Sequence, residues 1–311
     1  GSVEEAVRVG RSQGKPPERM VVGLAPDGGR LGPDGRRDVA AAIEFGLGVD
    51  SGLHDYLTED PHFIALARKN GVTLRDVRKP PPISELHFFS GAIERVLALK
   101  IAVLGTDSAV GKRTTAWKIV DGLVERGHGC ELVGTGQTAW LQGATYSLLL
   151  DSLINDFLTG EIEHAVVSAW DEKRPDAIVI EGQGGLLNPG YPGGYEIIAA
   201  ARPDVIVLQH APARREYDGF PGYAIHPLAR QIEALEIISG KRVVAVAVNH
   251  ENIPREQIPV VCAAITQLTG LPAADVLVEG AGRLIDELEK HLALKRGTTL
   301  PKEMKGKEKR S

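Results

Sequence analysis

Cysteine is scarce in this sequence. Cys130 and Cys262 stand far apart in 311 residues, and neither belongs to a CxxC pair. That usage excludes a disulfide framework or a zinc ribbon and suits a reducing compartment. Long apolar runs are missing as well. None approaches the roughly 18 residues a membrane span needs, and VVAVAV at 243–248 reads as a buried strand. No signal-peptide pattern is visible, so a cytoplasmic protein with no membrane partner is expected. An excess of positive charge is the third absence. With 36 Lys and Arg against 41 Asp and Glu, the net charge of −5 offers no basic face for nucleic acid.

The charge is unevenly spread. KRGTTLPKEMKGKEKRS, at the end of the sequence, carries seven basic and two acidic residues, so the rest of the chain holds −10. Its few apolar residues predict a disordered basic tail over 295–311.

What is present is ordinary globular composition, 43% hydrophobic and 25% charged, in a length that suits two domains. The proline cluster KPPPIS at 79–84 cannot continue a helix or a central strand, and it marks the boundary. We divide the chain into 1–82, 83–294 and the tail. Before the boundary, RMVVGL (19–24), GVDSGL (48–53) and VTLRDVR (72–78) read as strands. GRRDVAAAIEFGL (35–47) and PHFIALARKNG (61–71) read as the helices between them, which implies a small parallel sheet. After it, strands fit 99–104, 130–134, 176–181, 204–210, 243–248 and 275–279. Helices fit 112–126, 143–158, 161–172, 227–239, 255–269 and 281–293. Several of these strands are continuous apolar runs, as in a parallel sheet covered on both faces.

The stretch GTDSAVGKRTTAW (105–117) joins the first strand of the larger domain to its first helix. Glycines let such a loop wrap with its N–H groups inward, and the helix start presents its positive end to an anion. Lys112 adds a mobile charge for phosphate oxygens. Gly105, Thr106, Asp107, Ser108, Ala109, Val110, Gly111, Lys112, Arg113, Thr114 and Thr115 are therefore assigned to a phosphate-bearing ligand. In a metal-nucleotide loop a Ser or Thr follows the lysine and ligates Mg²⁺. Here Arg113 holds that place, and Thr114 would take it only if the helix began one residue later. An arginine suits a static phosphate at least as well as a metal-nucleotide.

Other candidates fall at strand ends. RPDAIVIEG (174–182) and RPDVIVLQH (202–210) share an opening and a strand pattern, so Glu181, Gln209 and His210 emerge at the carboxyl edge, where such sheets bind ligands. Glu181 is the first candidate for a general base, against a capping role. His210 is the second, against a structural role. Gln137 and Thr138 follow a strand in VGTGQT and are placed beside substrate. So are Gln183, Gly184 and Gly185, and the small Gly182, Gly184 and Gly185 let backbone N–H groups approach a carboxylate or oxyanion. Tyr191 lies in the Gly/Pro-rich loop LLNPGYPGGY, a form common in substrate lids. His54 and Asp55 have no further His or Asp nearby in sequence, so they are read as a cleft-facing loop of the first domain and no metal site is assigned. Arg214 and Arg215 read by default as a solvated pair, with contact to a dicarboxylate substrate as the alternative.

The run GTDSAVGK resembles the loop of dethiobiotin synthetase and its P-loop relatives. DAIVIEGQGG (176–185) and VAVAVNHENIP (244–254) are similar to two further elements of those enzymes. That likeness implies that Asn249 reads an adenine base. GLHDYLTEDP (52–61), the proline linker, GTDSAVGKRTTAW, VGTGQT (133–138) and EGQGGLLNPGY (181–191) occur in that order. The series resembles a bacterial and archaeal family with a Rossmann-like N-terminal domain and a P-loop C-terminal domain, one branch of which is D-glutamate N-acetyltransferase.

The resemblance implies an α/β protein: a small Rossmann-like parallel-sheet domain followed by a three-layer α/β/α domain of the P-loop, dethiobiotin synthetase-like type. It implies acetyl transfer to a small amino acid, D-glutamate, in D-amino acid catabolism, with acetyl-CoA held by the loop and the protein a homo-oligomer. The alternatives are an ATP and Mg²⁺-dependent ligase or kinase acting on a carboxylate or amine, and a non-catalytic nucleotide sensor.

Overall fold

The computed structural model describes residues 1–24 and 29–299. The chain divides into two compact units, Gly1–Glu85 with Asp151–Leu153, and Leu86–Leu150 with the residues from Ile154 onward. Both are parallel α/β structures.

The first unit opens with α1 (Val3–Ser12), a helix outside the expected alternation, whose Glu5 N–H donates to Ser2 Oγ at 3.2 Å. Then come β1 (Arg19–Val22), α2 (Pro33–Glu44), β2 (Gly48–Ser51), α3 (Pro61–Asn70) and β3 (Leu74–Asp76). The strands pair in sequence order, all parallel. α2 and α3 both start with proline, where a missing N–H costs nothing. Asp60 caps α3 by accepting from His62 and Phe63 N–H at 2.9 and 3.3 Å. Val39, Ile43, Val49, Leu53 and Phe63 form the centre of this unit's core.

At the middle strand, Asp50 is buried and must find donors. Arg19 from β1 donates Nε at 2.9 Å and Nη2 at 2.5 Å, and Arg75 from β3 donates Nε and Nη2 at 2.8 Å. One carboxylate thereby joins all three strands. Burial alone would raise its pKa, but the two guanidinium groups outweigh that and hold it at about 2.

The second unit is a seven-stranded parallel sheet. In chain order its elements are β4 (Leu99–Gly105), α4 (Lys112–Glu125), β5 (Cys130–Gly134), α5 (Gln137–Leu141), β6 (Tyr146–Ser147), α6 (Asn155–Lys173), β7 (Ala177–Glu181), α7 (Tyr195–Ala201), β8 (Val205–His210), α8 (Leu228–Ser239), β9 (Val243–Val248), α9 (Ile258–Thr269), β10 (Ala273–Ala274) and α10 (Gly282–Thr299). The strand order is β10-β9-β8-β4-β7-β5-β6. β4 is central, and the chain passes from one side of it to the other between β7 and β8. That reversal opens the crevice above β4 in which open α/β sheets bind ligands. Leu99, Ile101 and Val103 of β4 pack on one face against Ala116, Ile119 and Leu123 of α4 and Leu284, Ile285 and Leu288 of α10.

The structure departs from the expected elements in four places, each with a physical cause. The helix expected over 143–158 forms only from Asn155, where α6 begins; before it Tyr146, Leu148 and Leu150 bury at alternate positions, the period of extended chain. The helices expected to meet near Gly160 are one helix, α6. A Cβ at Gly160 would lie 1.9 Å from His87 O, so this glycine admits a crossing segment rather than stopping the helix. The strand expected over 275–279 ends at Ala274, because Asp275 Oδ1 accepts the N–H of Leu277 and Val278 at 2.9 and 3.1 Å and turns the chain. The tail expected from 295 is helical to Thr299. Lys295 donates to Asp204 at 2.8 and 2.9 Å, and Arg296 pairs with Asp176 at 2.7 Å. The remainder of that expected tail, 300–311, lies outside the described residues. Among the described residues no helix is long and apolar enough to cross a membrane.

Because folded Asp50 holds its proton less readily than the unfolded side chain, its contribution to stability is complete above about pH 4. It disappears as pH falls through about 2. Asp50→Asn should cost about 2 kcal/mol at neutral pH. In urea titrations the gap between parent and variant should close between those two pH values. A gap of constant size down to pH 2 would mean that shape, not charge, carries the residue's effect.

Candidate functional site

β4 delivers the chain to Gly105 and α4 takes it up at Lys112, so six residues make the turn between them. Two of them have left-handed backbone, Ala109 at φ 50° and Gly111 at φ 105°. The second suits glycine, and the first stores strain in a residue with a Cβ. Turns of this kind bring successive N–H groups to one side, at the positive end of α4. Because α4 opens on Lys112, Arg113 keeps the position after the lysine and Thr114 does not move into it.

Asp107 organises the loop. It has no solvent exposure, and four donors reach its two carboxylate oxygens. Ser108 N–H and Asn188 Nδ2 donate to Oδ1, each at 2.7 Å, while Arg214 Nη1 and Asp218 N–H donate to Oδ2, each at 2.9 Å. Arg214 does more than neutralise it. Its Nη1 also reaches Ser108 O at 2.7 Å, its Nη2 reaches Ala109 O at 3.3 Å, and its other flank pairs with Glu251 at 2.7 Å. A guanidinium fork therefore holds the strained turn from outside. The expectation of a solvated arginine pair is corrected for Arg214, which is largely buried, and agrees with Arg215, which is exposed.

Lys112 is buried, and its Nζ donates to Asp107 O and Gly184 O, both at 2.7 Å. Burial lowers its pKa to about 8, against the pull of Asp107 and Glu181. Most of it therefore remains charged at neutral pH. Thr115 Oγ1 donates to Gln209 Oε1, which commits that hydroxyl to β8. Thr114 is half-buried on the same turn. Arg113 is half-buried too, but its Nε is fully enclosed and has no hydrogen-bond partner among the described residues. A buried guanidinium N–H without an acceptor is costly unless a ligand supplies one.

Glu181 ends β7 and is buried. Burial raises its carboxyl pKa, opposed by the Thr135 N–H at 2.9 Å and by the charges of Arg113 and Lys112. Thr135 Oγ1 donates back to Glu181 O at 3.0 Å and accepts from Gln183 Nε2 at 2.9 Å, so the ends of β5 and β7 are locked together. Gln137 and Thr138 begin α5 just beyond.

The glycines after Glu181 do something other than expected. Gly182 N–H donates to Val103 O at 3.0 Å, and Gly185 N–H to Tyr191 O at 3.1 Å, so neither N–H is turned to a substrate. Their smallness serves close packing: a Cβ on Gly182 would lie 2.4 Å from Val103 O, and one on Gly185 2.9 Å from Gly105 O. This contact is what brings Gly184 O to Lys112.

The remaining expected residues lie as follows. His210 Nδ1 meets Thr106 Oγ1 at 3.1 Å, and burial pushes its pKa down to about 4, so it is a neutral imidazole at physiological pH. Asn249 donates Nδ2 to Val110 O at 2.8 Å and accepts Glu251 N–H at 2.9 Å, clamping the loop from the β9 side. Tyr191 is exposed, and its backbone receives Gly185. His54 and Asp55 belong to the first unit. There Asp55 Oδ2 accepts Leu31 N–H and His54 N–H donates to Gly29 O, both at 2.9 Å. Sequence reasoning passed over Asn188 and Gln231, whose Nε2 reaches Thr106 O at 3.3 Å. Only the Asn-Pro-Gly turn around Asn188 carries a local signal.

Residues 87–285 match a family described as a domain of unknown function, DUF1611_C, P-loop domain. Residues 1–80 match its partner, DUF1611_N, Rossmann-like domain. A protein of Tritonibacter scottomollicae named D-glutamate N-acetyltransferase is 31% identical over 276 residues, covering 86% of this chain and 80% of its own. One of the same name from a Pseudoalteromonas species is 28% identical, covering 92% and 84%. The crystal structure of a DUF1611 family protein from Anabaena variabilis superposes with a TM-score of 0.84 at 31% identity, over 93% of this chain and 83% of that one.

Removing the carboxylate under the loop should be severe. Asp107→Ala leaves a buried guanidinium and three other donors short of an acceptor, and should lower unfolding stability by about 3 kcal/mol or more. In a double-mutant cycle with Arg214→Ala, the two losses should fall short of additivity by about 1–3 kcal/mol. Strictly additive urea midpoints would separate the two residues.

Proposed function

From a chain that belongs to the DUF1611 family, with both of its domains in order, we propose an N-acetyltransferase that acylates the amine of D-glutamate with acetyl-CoA held at the phosphate loop. The names carried by the two relatives support the reaction and the acceptor. The observation that carries the cofactor is Arg113. It stands where a metal-nucleotide loop needs a hydroxyl, and its enclosed Nε has no acceptor among the described residues. Of the two threonines that follow it, Thr115 is already committed to Gln209. A cation beside Lys112 suits the phosphates of coenzyme A, which require no metal to be held.

Acetyl-CoA would supply an acetyl group activated as a thioester. The loop N–H groups, Lys112 and Arg113 would hold its phosphates. Glu181 would accept the proton that the amine loses as the new C–N bond forms, and return it to the sulfur as the C–S bond breaks. Its burial suits that task, because a desolvated carboxylate is a stronger base than one in water. His210 serves by supporting Thr106 and stays neutral.

Calorimetry with acetyl-CoA and with Mg·ATP, each with and without D-glutamate, tests the reading. Heat and thermal stabilisation should come from acetyl-CoA, and free thiol should appear with N-acetylated product when D-glutamate is present. Lys112→Ala should weaken acetyl-CoA binding. Glu181→Gln should lower kcat about 100-fold or more with little change in acetyl-CoA affinity. Stabilisation by Mg·ATP alone would overturn the proposal in favour of a ligase or kinase.

A further inference from the structure

Beside the loop lies an aromatic cluster that the chemistry above does not use. Tyr191 and Tyr223 are 62% and 58% exposed. Both meet Phe220 edge to face, with ring centroids 6.1 and 6.4 Å apart and interplanar angles of 63° and 78°. Phe220 is itself held against Gly190, where a Cβ would come within 1.9 Å of its ring. Each edge-to-face contact occupies one edge or one face, so each tyrosine keeps an open face in solvent.

The cluster is fastened to the phosphate loop along separate paths. Tyr191 N–H donates to Asn188 Oδ1 at 2.7 Å, and Asn188 Nδ2 donates to Asp107 at 2.7 Å. Tyr191 O accepts from Gly185, the neighbour of the Gly184 carbonyl that receives Lys112 Nζ. On the other segment Asp218 N–H donates to Asp107 at 2.9 Å. Phe220 O and Tyr223 O close the turn by accepting from Tyr223 and Tyr217 N–H at 3.1 and 2.9 Å. Two exposed aromatic faces are thus set at a defined place next to an anion-binding turn.

That combination suits a ligand carrying phosphate and a planar base together. Glutamate has no π-face, whereas the nucleotide half of acetyl-CoA has both features. Asn249, to which the family resemblance points for the base, has both ends of its amide engaged by Val110 and Glu251. We propose that Tyr191 and Tyr223, positioned by Phe220, form the stacking platform for the adenine of the acyl carrier. This rests on the reading that the loop holds acetyl-CoA. Stacking on such a platform tolerates either tyrosine or phenylalanine and depends on the ring alone.

The test compares two probes by calorimetry: acetyl-CoA, and acetyl-4′-phosphopantetheine, which lacks the adenosine together with two of the three phosphates. Both tyrosine side chains are exposed and their hydrogen bonds to the fold are through backbone, so Tyr191→Ala and Tyr223→Ala should fold as the parent does. Each should bind acetyl-CoA roughly tenfold more weakly and bind the truncated probe unchanged. Tyr191→Phe and Tyr223→Phe should restore parental affinity. Equal loss for both probes, or no loss for either, overturns the platform. So does a variant that binds acetyl-CoA normally but changes its mass by light scattering, which would make the patch a self-association surface. The two readings fail at different points. A parent protein that does not bind acetyl-CoA overturns both, and a parent that binds while the alanine variants match it overturns the platform alone.

Discussion

A carboxylate with no access to water must collect its hydrogen bonds from the protein, and Asp107 collects four from three separate stretches of chain. The loop's shape follows from that requirement. Asn188 and Asp218 are drawn in beneath it, and each carries an aromatic segment with it. Arg214 is drawn in from the β8 side, and its remaining N–H groups then hold the carbonyls of Ser108 and Ala109, where the backbone is strained. A left-handed alanine persists only when its surroundings over-determine it, and here Arg214 and Asn249 grip the residues on both sides.

A second consequence is electrostatic. The buried positive charges above β4 are balanced by buried or half-buried carboxylates, with Arg214 between Asp107 and Glu251 and Lys112 near both Asp107 and Glu181. Desolvation lowers the pKa of Lys112 and raises that of Glu181, so the two approach each other in proton affinity. Pairs whose environments shift them in this way are typical of sites that hold anions or move protons. Arg113 adds a cation whose Nε has no acceptor among the described residues. The first unit solves the same problem differently: Asp50 is flanked by an arginine on each neighbouring strand, Arg75 in register with it and Arg19 opposite Gly48, and its function there is to tie a three-stranded sheet.

Much of this was legible in the sequence because it is local. The strand, glycine-bearing turn and helix of residues 99–125 announce themselves by an apolar run, a Gly-Lys pair and a following 3.6-residue period. The strand ends bearing Glu181, Gln209 and His210 were legible for the same reason. Elements failed where a distant partner overrode the local pattern. Gly160 looks like a helix stop until His87 is seen to cross it, and 143–150 looks helical until β5 offers an edge.

By itself, then, the sequence determined the family, the two-domain α/β architecture and the position of the phosphate loop, since these rest on spacing over a few residues. Only the tertiary structure decided what the side chains around that loop do. Arg214 lies 107 residues from Asp107 and Asn188 lies 81 away, and nothing in the local pattern of either marks it as a clamp. Gly182 and Gly185 read as openings for a substrate, yet they serve the close approach of two backbones. The destination of a buried polar side chain depends on which donors and acceptors folding leaves unsatisfied, and that is a property of the packed chain rather than of any segment.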